Sequence, residues 1–65
     1  MTNEQTAAQA RRLVEAFFDD PEKTALWFET KNPMFGNLKP TDLVKIGKAD
    51  KVLRTVKLLL EENSV

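Results

Sequence analysis

Apolar residues recur at helical spacing in the first part of the chain. At about 100° per residue they fall on one side of a helix, while most charged residues fall on the other. The spacing predicts an amphipathic first helix over residues 2–18 with this apolar side: Ala7, Ala10, Leu13, Val14 and Phe17. Thr2 and Gln5 fit a capping box, in which both side chains pair with free backbone N–H groups at the helix start. Phe18 is expected at the edge of the apolar side.

A second helix is predicted over residues 21–30, directly after an Asp-Pro step. Proline disfavours helix in the residue before it but suits the first position of a new helix, so Asp20 is expected to cap this one. Leu26, Trp27 and Phe28 then follow one another, and three consecutive residues cannot face one side of a helix. Either two sides of this helix are covered or one aromatic side chain is exposed. Trp27 is expected to be a packing anchor of the core.

The segment between the second and third predicted helices, residues 31–39, combines turn residues with apolar ones. Asn32-Pro33 and Gly36-Asn37 are residue pairs typical of turns. Three further residues of the segment are large and apolar: Met34, Phe35 and Leu38. We therefore expect an ordered loop that packs back onto the protein.

The remaining sequence predicts two more helices. Pro40 opens a short third helix, PTDLVKI, and Gly47 is placed to end it in the left-handed conformation that glycine tolerates. The last helix begins near Lys48, and its apolar residues recur every three or four positions: Ala49, Val52, Leu53, Val56, Leu59 and Leu60. No segment alternates as a strand would. The sequence thus predicts an all-α fold, a small bundle of about four helices with an ordered apolar loop between helices 2 and 3, in one domain over residues 1–65.

One leucine is predicted to lie on the charged side of the last helix. Leu58 falls among Lys51 and Arg54, which precede it, and Glu61 and Glu62, which follow it. A long apolar side chain in this position is a candidate contact point for a partner. Single exposed leucines are also common on protein surfaces, so a passive surface position is the alternative.

The charges are divided by sign along the chain. Residues 39–57 hold six basic and two acidic side chains, a balance of +4, against −2 for residues 1–38 and −2 for residues 58–65. A basic patch of this size could meet phosphate or an acidic protein surface, although charges on the outer side of a helix are most often solvated.

Composition argues against catalysis. The chain has no cysteine and no histidine, which excludes disulfides, thiolate chemistry, cysteine-ligated zinc and the commonest general base. The carboxylate pairs Asp19-Asp20 and Glu61-Glu62 are better explained by helix capping and by a solvated tail. No phosphate-binding glycine repeat and no metal-ligand spacing is found. The sequence predicts a binding protein and not an enzyme, with no catalytic residue, cofactor or metal.

The sequence also limits location and partners. Its apolar runs are far shorter than the roughly 18 residues that span a bilayer, and the N-terminus MTNEQTAAQ has neither the basic start nor the apolar core of a signal peptide. A cytoplasmic protein without membrane contact is expected. Ten basic and ten acidic side chains cancel, which removes the overall positive field of a dedicated nucleic-acid binder.

Residues 17–64 resemble the toxin-binding domain of MbcA/ParS/Xre-type antitoxins. In that family an acidic turn is followed by an Ala-x-x-Trp-Leu-like segment, an Asn-Pro and glycine loop, a short Pro-capped helix, a glycine and an amphipathic helix. The matching residues here are Trp27, Asn32, Pro33, Gly36, Pro40, Leu43, Val44, Gly47, Val52, Leu59 and Leu60. Phe28 stands where leucine is usual, and Asn37 stands where a second loop glycine is usual. The resemblance covers about three quarters of the chain.

The resemblance implies a protein that binds and neutralises a cognate toxin, commonly a RES-type enzyme that consumes NAD, by covering the entrance to its active site. The expected contact surface is the last helix with the C-terminal tail: Lys51, Arg54, Leu58, Glu61, Glu62 and Val65. Family antitoxins typically carry a helix-turn-helix region before this domain. The present sequence begins at the first helix of the toxin-binding unit, so repression of its own promoter is not expected.

Two alternatives stay open. A nucleic-acid accessory module would use the exposed basic residues, with an affinity that falls steeply with salt: Lys45, Lys48, Lys51, Arg54 and Lys57. A chain of this size buries only about 60% of the surface that its unfolded form exposes, so it could instead complete its core as a homodimer. Trp27, Phe28 or Phe35 would then form the shared surface.

Overall fold

Helices dominate the computed structural model, which describes residues 1–63. The elements are α1 (Asn3–Phe18), α2 (Pro21–Glu29), a 3₁₀ turn (Pro33–Phe35), α3 (Pro40–Lys45) and α4 (Ala49–Asn63). Within the described residues β-pairing is limited to one isolated antiparallel bridge, between Asn32 and Leu38. The predicted all-α bundle, with an ordered loop between helices 2 and 3, is confirmed. None of the helices in residues 1–63 has the length and apolar content needed to cross a membrane.

Local sequence sets the ends of the first two helices. The Gln5 N–H donates to Thr2 Oγ1 at 3.1 Å and the Thr2 N–H donates to Gln5 Oε1 at 2.9 Å, which completes the predicted capping box. Asp19 ends α1 in the left-handed conformation, with φ of 52°. The Asp20 carboxylate then accepts from the Glu22 N–H at 2.9 Å and starts α2, as predicted.

The loop between α2 and α3 is held by its own backbone. Asn32 accepts from the Met34 N–H through its side chain, at 2.9 Å, and its N–H donates to the Leu38 carbonyl at 3.1 Å. Gly36 and Asn37 take consecutive left-handed conformations, with φ of 65° and 64°. Phe35 is the buried side chain of this loop.

The prediction that the apolar residues of the loop pack onto the protein is wrong in part. Phe35 does pack into the core, but Met34 and Leu38 are exposed. The two left-handed residues that follow Phe35 close the turn tightly around this one side chain, so its apolar neighbours point to solvent.

The core draws on all four helices and the 3₁₀ turn. Its buried apolar residues are Ala10, Val14, Phe28, Phe35, Leu43, Val52, Leu53 and Val56. The Trp27 ring lies edge-on to Phe28 and Phe35, with ring centroids 5.0 and 6.2 Å apart. Trp27 itself is only half-buried and packs against the edge of the core, so the fully buried anchors are Phe28 and Phe35.

Two helix faces differ from the predicted ones. On α1 the buried side runs through Thr6, Ala10 and Val14 to Phe18, while Phe17 is exposed. Thr6 can be buried because its hydroxyl donates to the Thr2 carbonyl at 3.0 Å.

On α2 neither expected arrangement is found. Phe28 is buried and Trp27 half-buried, and the residue left exposed is the aliphatic Leu26. Thr24 is also buried, and its hydroxyl donates to the Asp20 carbonyl at 3.1 Å. Trp27 and Phe28 pack together with Phe35 of the loop, and with the helix in this orientation Leu26 points to solvent.

Asn3 ties the start of α1 to the start of α4. Its Nδ2 donates to the Val44 carbonyl at 2.8 Å, and its Oδ1 accepts from the Ala49 N–H at 3.0 Å. Phe18 and Leu60, near the other ends of the same helices, line one cleft. α1 and α4 therefore run in the same direction, and Asn3 caps α4 from a distant part of the sequence.

Replacing Asn3 with alanine is expected to lower the free energy of unfolding by about 1–2 kcal/mol, the usual cost of losing an N-cap. Ala49 is fully buried, so its N–H cannot pair with water instead. Asn3→Asp keeps the acceptor for that N–H but loses the bond to Val44, so an intermediate cost is expected. Urea unfolding followed by circular dichroism measures both. Equal stability of the alanine variant and the natural protein would contradict the capping role.

Candidate partner-binding surfaces

The outward side of α4 gathers five of the predicted contact residues. Leu58 lies opposite the core and is 53% exposed. One turn before it is Arg54, a further turn back is Lys51, and one turn after it are Glu61 and Glu62, all exposed. We call these five residues the α4 outer face. Val65, the sixth predicted contact residue, lies outside the described residues, and the role of all six in binding stays a prediction.

The charges of the α4 outer face are ordered along the helix. Its N-terminal end is basic and its C-terminal end is acidic, so the exposed leucine separates two charge signs. Arg54 forms an ion pair with Asp50 at 3.4 Å, one turn earlier, and both side chains are largely exposed. Such a surface pair contributes at most about 1 kcal/mol, so the guanidinium can be redirected to a partner at low cost.

The other basic residues do not form a separate site. Lys45, Lys48 and Lys57 are exposed, as the nucleic-acid alternative requires. Lys57 lines a shallow depression beside Asp50, which places a carboxylate within the basic region. The Asp50 carboxylate therefore partly neutralises the positive field of these basic residues.

The six residues expected to form the structural motif lie at element boundaries and in the loop. Trp27 is near the end of α2, Pro40 is the buried first residue of α3, and Gly47 ends that helix with φ of 81°. The loop contributes the other three: Asn32, Pro33 and Gly36. Thr41 strengthens this region because its hydroxyl donates to the Phe28 carbonyl at 2.7 Å. Five of these residues lie along the connection from α2 to α3, and Gly47 lies between α3 and α4.

The structure contradicts most of the homodimer surface suggested by the sequence. Phe28 and Phe35 are each 2% exposed, so neither reaches a second copy without opening the core. Of the three proposed residues, only Trp27 offers part of its ring to the surface. Large apolar residues such as Phe28 and Phe35 are the ones most often buried in the core of a single chain, and they are buried here.

A second apolar surface was missed by sequence reasoning. The ends of α1 and α4 and the side of α2 enclose a cleft of about 120 Å³. Its lining comes from α1 (Val14, Phe17, Phe18), α2 (Trp27) and α4 (Val56, Leu59, Leu60). The signal was present in the adjacent phenylalanines at the end of α1 and the three leucines near the end of α4, since one helix face cannot bury all members of such runs. We call this surface the apolar cleft.

Both surfaces offer contact chemistry. Each places apolar side chains at the protein surface, where burial against another molecule is favourable by about 25 cal/mol per Å². In the described residues no three acidic side chains come together as metal ligands, and every fully buried side-chain polar atom has a hydrogen-bond partner.

Residues 13–57 match a family model described as the antitoxin Xre/MbcA/ParS C-terminal toxin-binding domain. The match covers well over half of the chain and includes the loop and both glycines. Lys51 and Arg54 lie within it, while Leu58 and the two glutamates that follow lie just beyond its end. Comparisons with curated proteins and with solved structures give no match.

Proposed function

The chain belongs to the toxin-binding domain family of Xre/MbcA/ParS antitoxins, and from this membership we propose that it binds a cognate toxin and neutralises it. The observation that carries the proposal is the match over residues 13–57. We propose further that the toxin is a RES-type enzyme that consumes NAD, and that the chain acts by covering the entrance to its active site. It works by binding, not by catalysis, and in the cytoplasm, where such an enzyme finds NAD.

The α4 outer face is the surface that we assign to the toxin. Leu58 supplies an apolar centre, and the surrounding charged side chains can exclude water from it once a partner is bound, which is the usual arrangement of a binding hot spot. From Lys51 to Glu62 the face extends about 16 Å along the helix. Because its ends differ in charge, a toxin with the complementary order of charges is bound in one direction.

Co-expression tests the toxin class directly. The chain is expressed with each member of a panel of RES-type toxins, and growth and co-purification are scored. Rescue together with a stable complex is expected for the cognate member. If no RES-type toxin is bound or neutralised while a toxin of another class is, the antitoxin role is retained and the RES assignment is wrong. Failure with every toxin tested would contradict neutralisation itself.

The double variant Leu58→Asp, Arg54→Asp is expected to weaken toxin binding at least 30-fold, which corresponds to about 2 kcal/mol for loss of a hot spot. Both side chains are exposed, so helical circular dichroism should not change. Isothermal titration calorimetry with the purified toxin measures the affinity.

Leu26→Asp, Arg12→Asp is the matched control for this variant. It makes the same chemical changes at two other exposed helix positions, away from the α4 outer face. Its affinity should stay within about threefold of that of the natural protein, a difference below 1 kcal/mol. Equal affinities of the two double variants would show that the α4 outer face does not contact the toxin.

A further inference from the structure

The apolar cleft leaves large side chains uncovered in a protein that has few of them. Phe17, at its mouth, is 53% exposed, and Leu59 and Leu60 are only half-buried. The Phe17 and Phe18 rings meet edge-to-face at 5.3 Å, which holds both at the end of α1. At about 120 Å³ the cleft is smaller than the apolar cavity of about 150 Å³ that admits benzene, but it is open to solvent, so one leucine or phenylalanine side chain can enter it in part.

The chain segments that line the apolar cleft carry net negative charge. Residues 14–27 and 56–62, which include every lining residue, contain six acidic and two basic side chains, a balance of −4. The chain as a whole is neutral, so the rest of the molecule carries +4. α1 and α4 both end at this cleft, and neither has a basic residue in its last turn. Their helix dipoles therefore add partial negative charge at the same end.

We infer that the apolar cleft is a docking site for a protein segment in which a leucine or phenylalanine is flanked by lysine or arginine. The apolar side chain enters the cleft beside Trp27, and the flanking cations meet acidic side chains of the segments that line it, such as Asp19 and Glu62. Charge complementarity of this kind selects the partner and its direction.

The same charges argue against other occupants. Two copies joined through their clefts would bring two acidic ends together, because a two-fold interface places the same patch on both sides. Such like-charge contact costs several kcal/mol in an interface. An anionic membrane surface is repelled for the same reason.

Docking at the apolar cleft goes beyond the neutralisation proposed above. Leu58 does not line the cleft, and it projects about 100° away from Leu59 around the helix axis. The two surfaces share the acidic end of α4, but their apolar residues differ, so variants of Leu58 and of Phe17 test them separately, with different ligands.

Trp27 makes the test direct because it is the only tryptophan and lies in the cleft. Three tryptophan-free peptides serve as probes. The basic-apolar peptide has one phenylalanine among lysines and serines, the acidic peptide has glutamate in place of each lysine, and the third peptide has serine in place of the phenylalanine. The basic-apolar peptide is expected to shift the emission of Trp27 to shorter wavelength and to bind at least tenfold more tightly than either of the others. Its affinity should fall with added salt, since the charges are exposed.

Two variants locate the binding. Phe17→Ser removes an exposed wall of the apolar cleft. It is expected to lower the affinity for the basic-apolar peptide at least fivefold and to leave the circular dichroism spectrum unchanged. Leu58→Ser makes the same kind of change on the α4 outer face and should leave peptide affinity unchanged.

Three results would overturn the assignment. They are equal binding of the acidic peptide, no binding of any peptide, or a dimer in sedimentation velocity that Phe17→Ser converts to monomer, which would make a second copy the occupant. The test separates this inference from neutralisation. A chain that neutralises a toxin but binds no peptide disproves the docking site alone, and the converse disproves neutralisation alone.

Discussion

Replacing Phe35 with alanine is expected to remove about a third or more of the free energy of unfolding, and to unfold the protein at room temperature if its total stability lies at the low end of the usual range. Its side chain is among the largest that are fully buried, and it contacts the Trp27 ring within the core. Truncation of a buried phenylalanine costs about 3–5 kcal/mol, through lost burial and the cavity left behind. At about 0.05–0.15 kcal/mol per residue, a chain of 65 residues has only roughly 3–10 kcal/mol in total. Circular dichroism at 222 nm and thermal unfolding measure the loss.

Met34→Ala is the control for this prediction. Met34 is the adjacent residue of the same 3₁₀ turn and is 52% exposed, so the change should move stability by no more than about 0.5 kcal/mol. The contrast between neighbours tests whether the loop is held by one side chain. A folded Phe35→Ala variant with an unchanged melting temperature would show that the loop does not anchor the core.

Enlarging Ala10 to leucine is expected to cost about 1–3 kcal/mol, because a close-packed core has no space for three more carbon atoms. Ala10 lies in the middle of the buried side of α1 and is fully inaccessible to solvent. Ala49, at the start of α4, is equally inaccessible, which indicates that small residues let the parallel helices approach closely. Urea unfolding measures the change in the free energy of unfolding and in its dependence on urea concentration.

The exposed Ala8 provides the matched substitution in the same helix. Alanine and leucine are both strong helix formers, so Ala8→Leu isolates helix propensity from packing. Its stability should lie within about 0.5 kcal/mol of that of the natural protein. If the two leucine variants are equally stable, the α1–α4 contact is looser than the structure indicates.

Helix boundaries were predictable because their causes lie within a few residues. The capping box at Thr2 and the cap at Asp20 each use a side chain and a backbone group no more than three positions apart. Gly47 ends α3 through its own left-handed backbone. These interactions form in the same way wherever the segment is placed.

The candidate surfaces were predictable only in part. Leu58 was correctly placed opposite the core, because the apolar stripe of α4 is long and regular and leaves no doubt about its direction. The apolar cleft was not predicted, because it needs the ends of α1 and α4, which are distant in sequence, together with Trp27 on the side of α2. Trp27 illustrates the difference: its size suggested a central anchor, but the packing of Phe28 and Phe35 places it at the wall of the cleft.

By itself, then, the sequence determined the number of helices, their limits, the presence of an ordered loop and the family. Tertiary structure alone decided which of two neighbouring residues is covered, as with Phe17 and Phe18, and which distant group completes a helix end, as with Asn3 at α4. Helical periodicity specifies that a helix has an apolar side, and local hydrogen bonds specify where it stops. Adjacent residues point about 100° apart around the helix axis. At the edge of the apolar side, only the position of the neighbouring helices therefore decides which of two adjacent residues is covered.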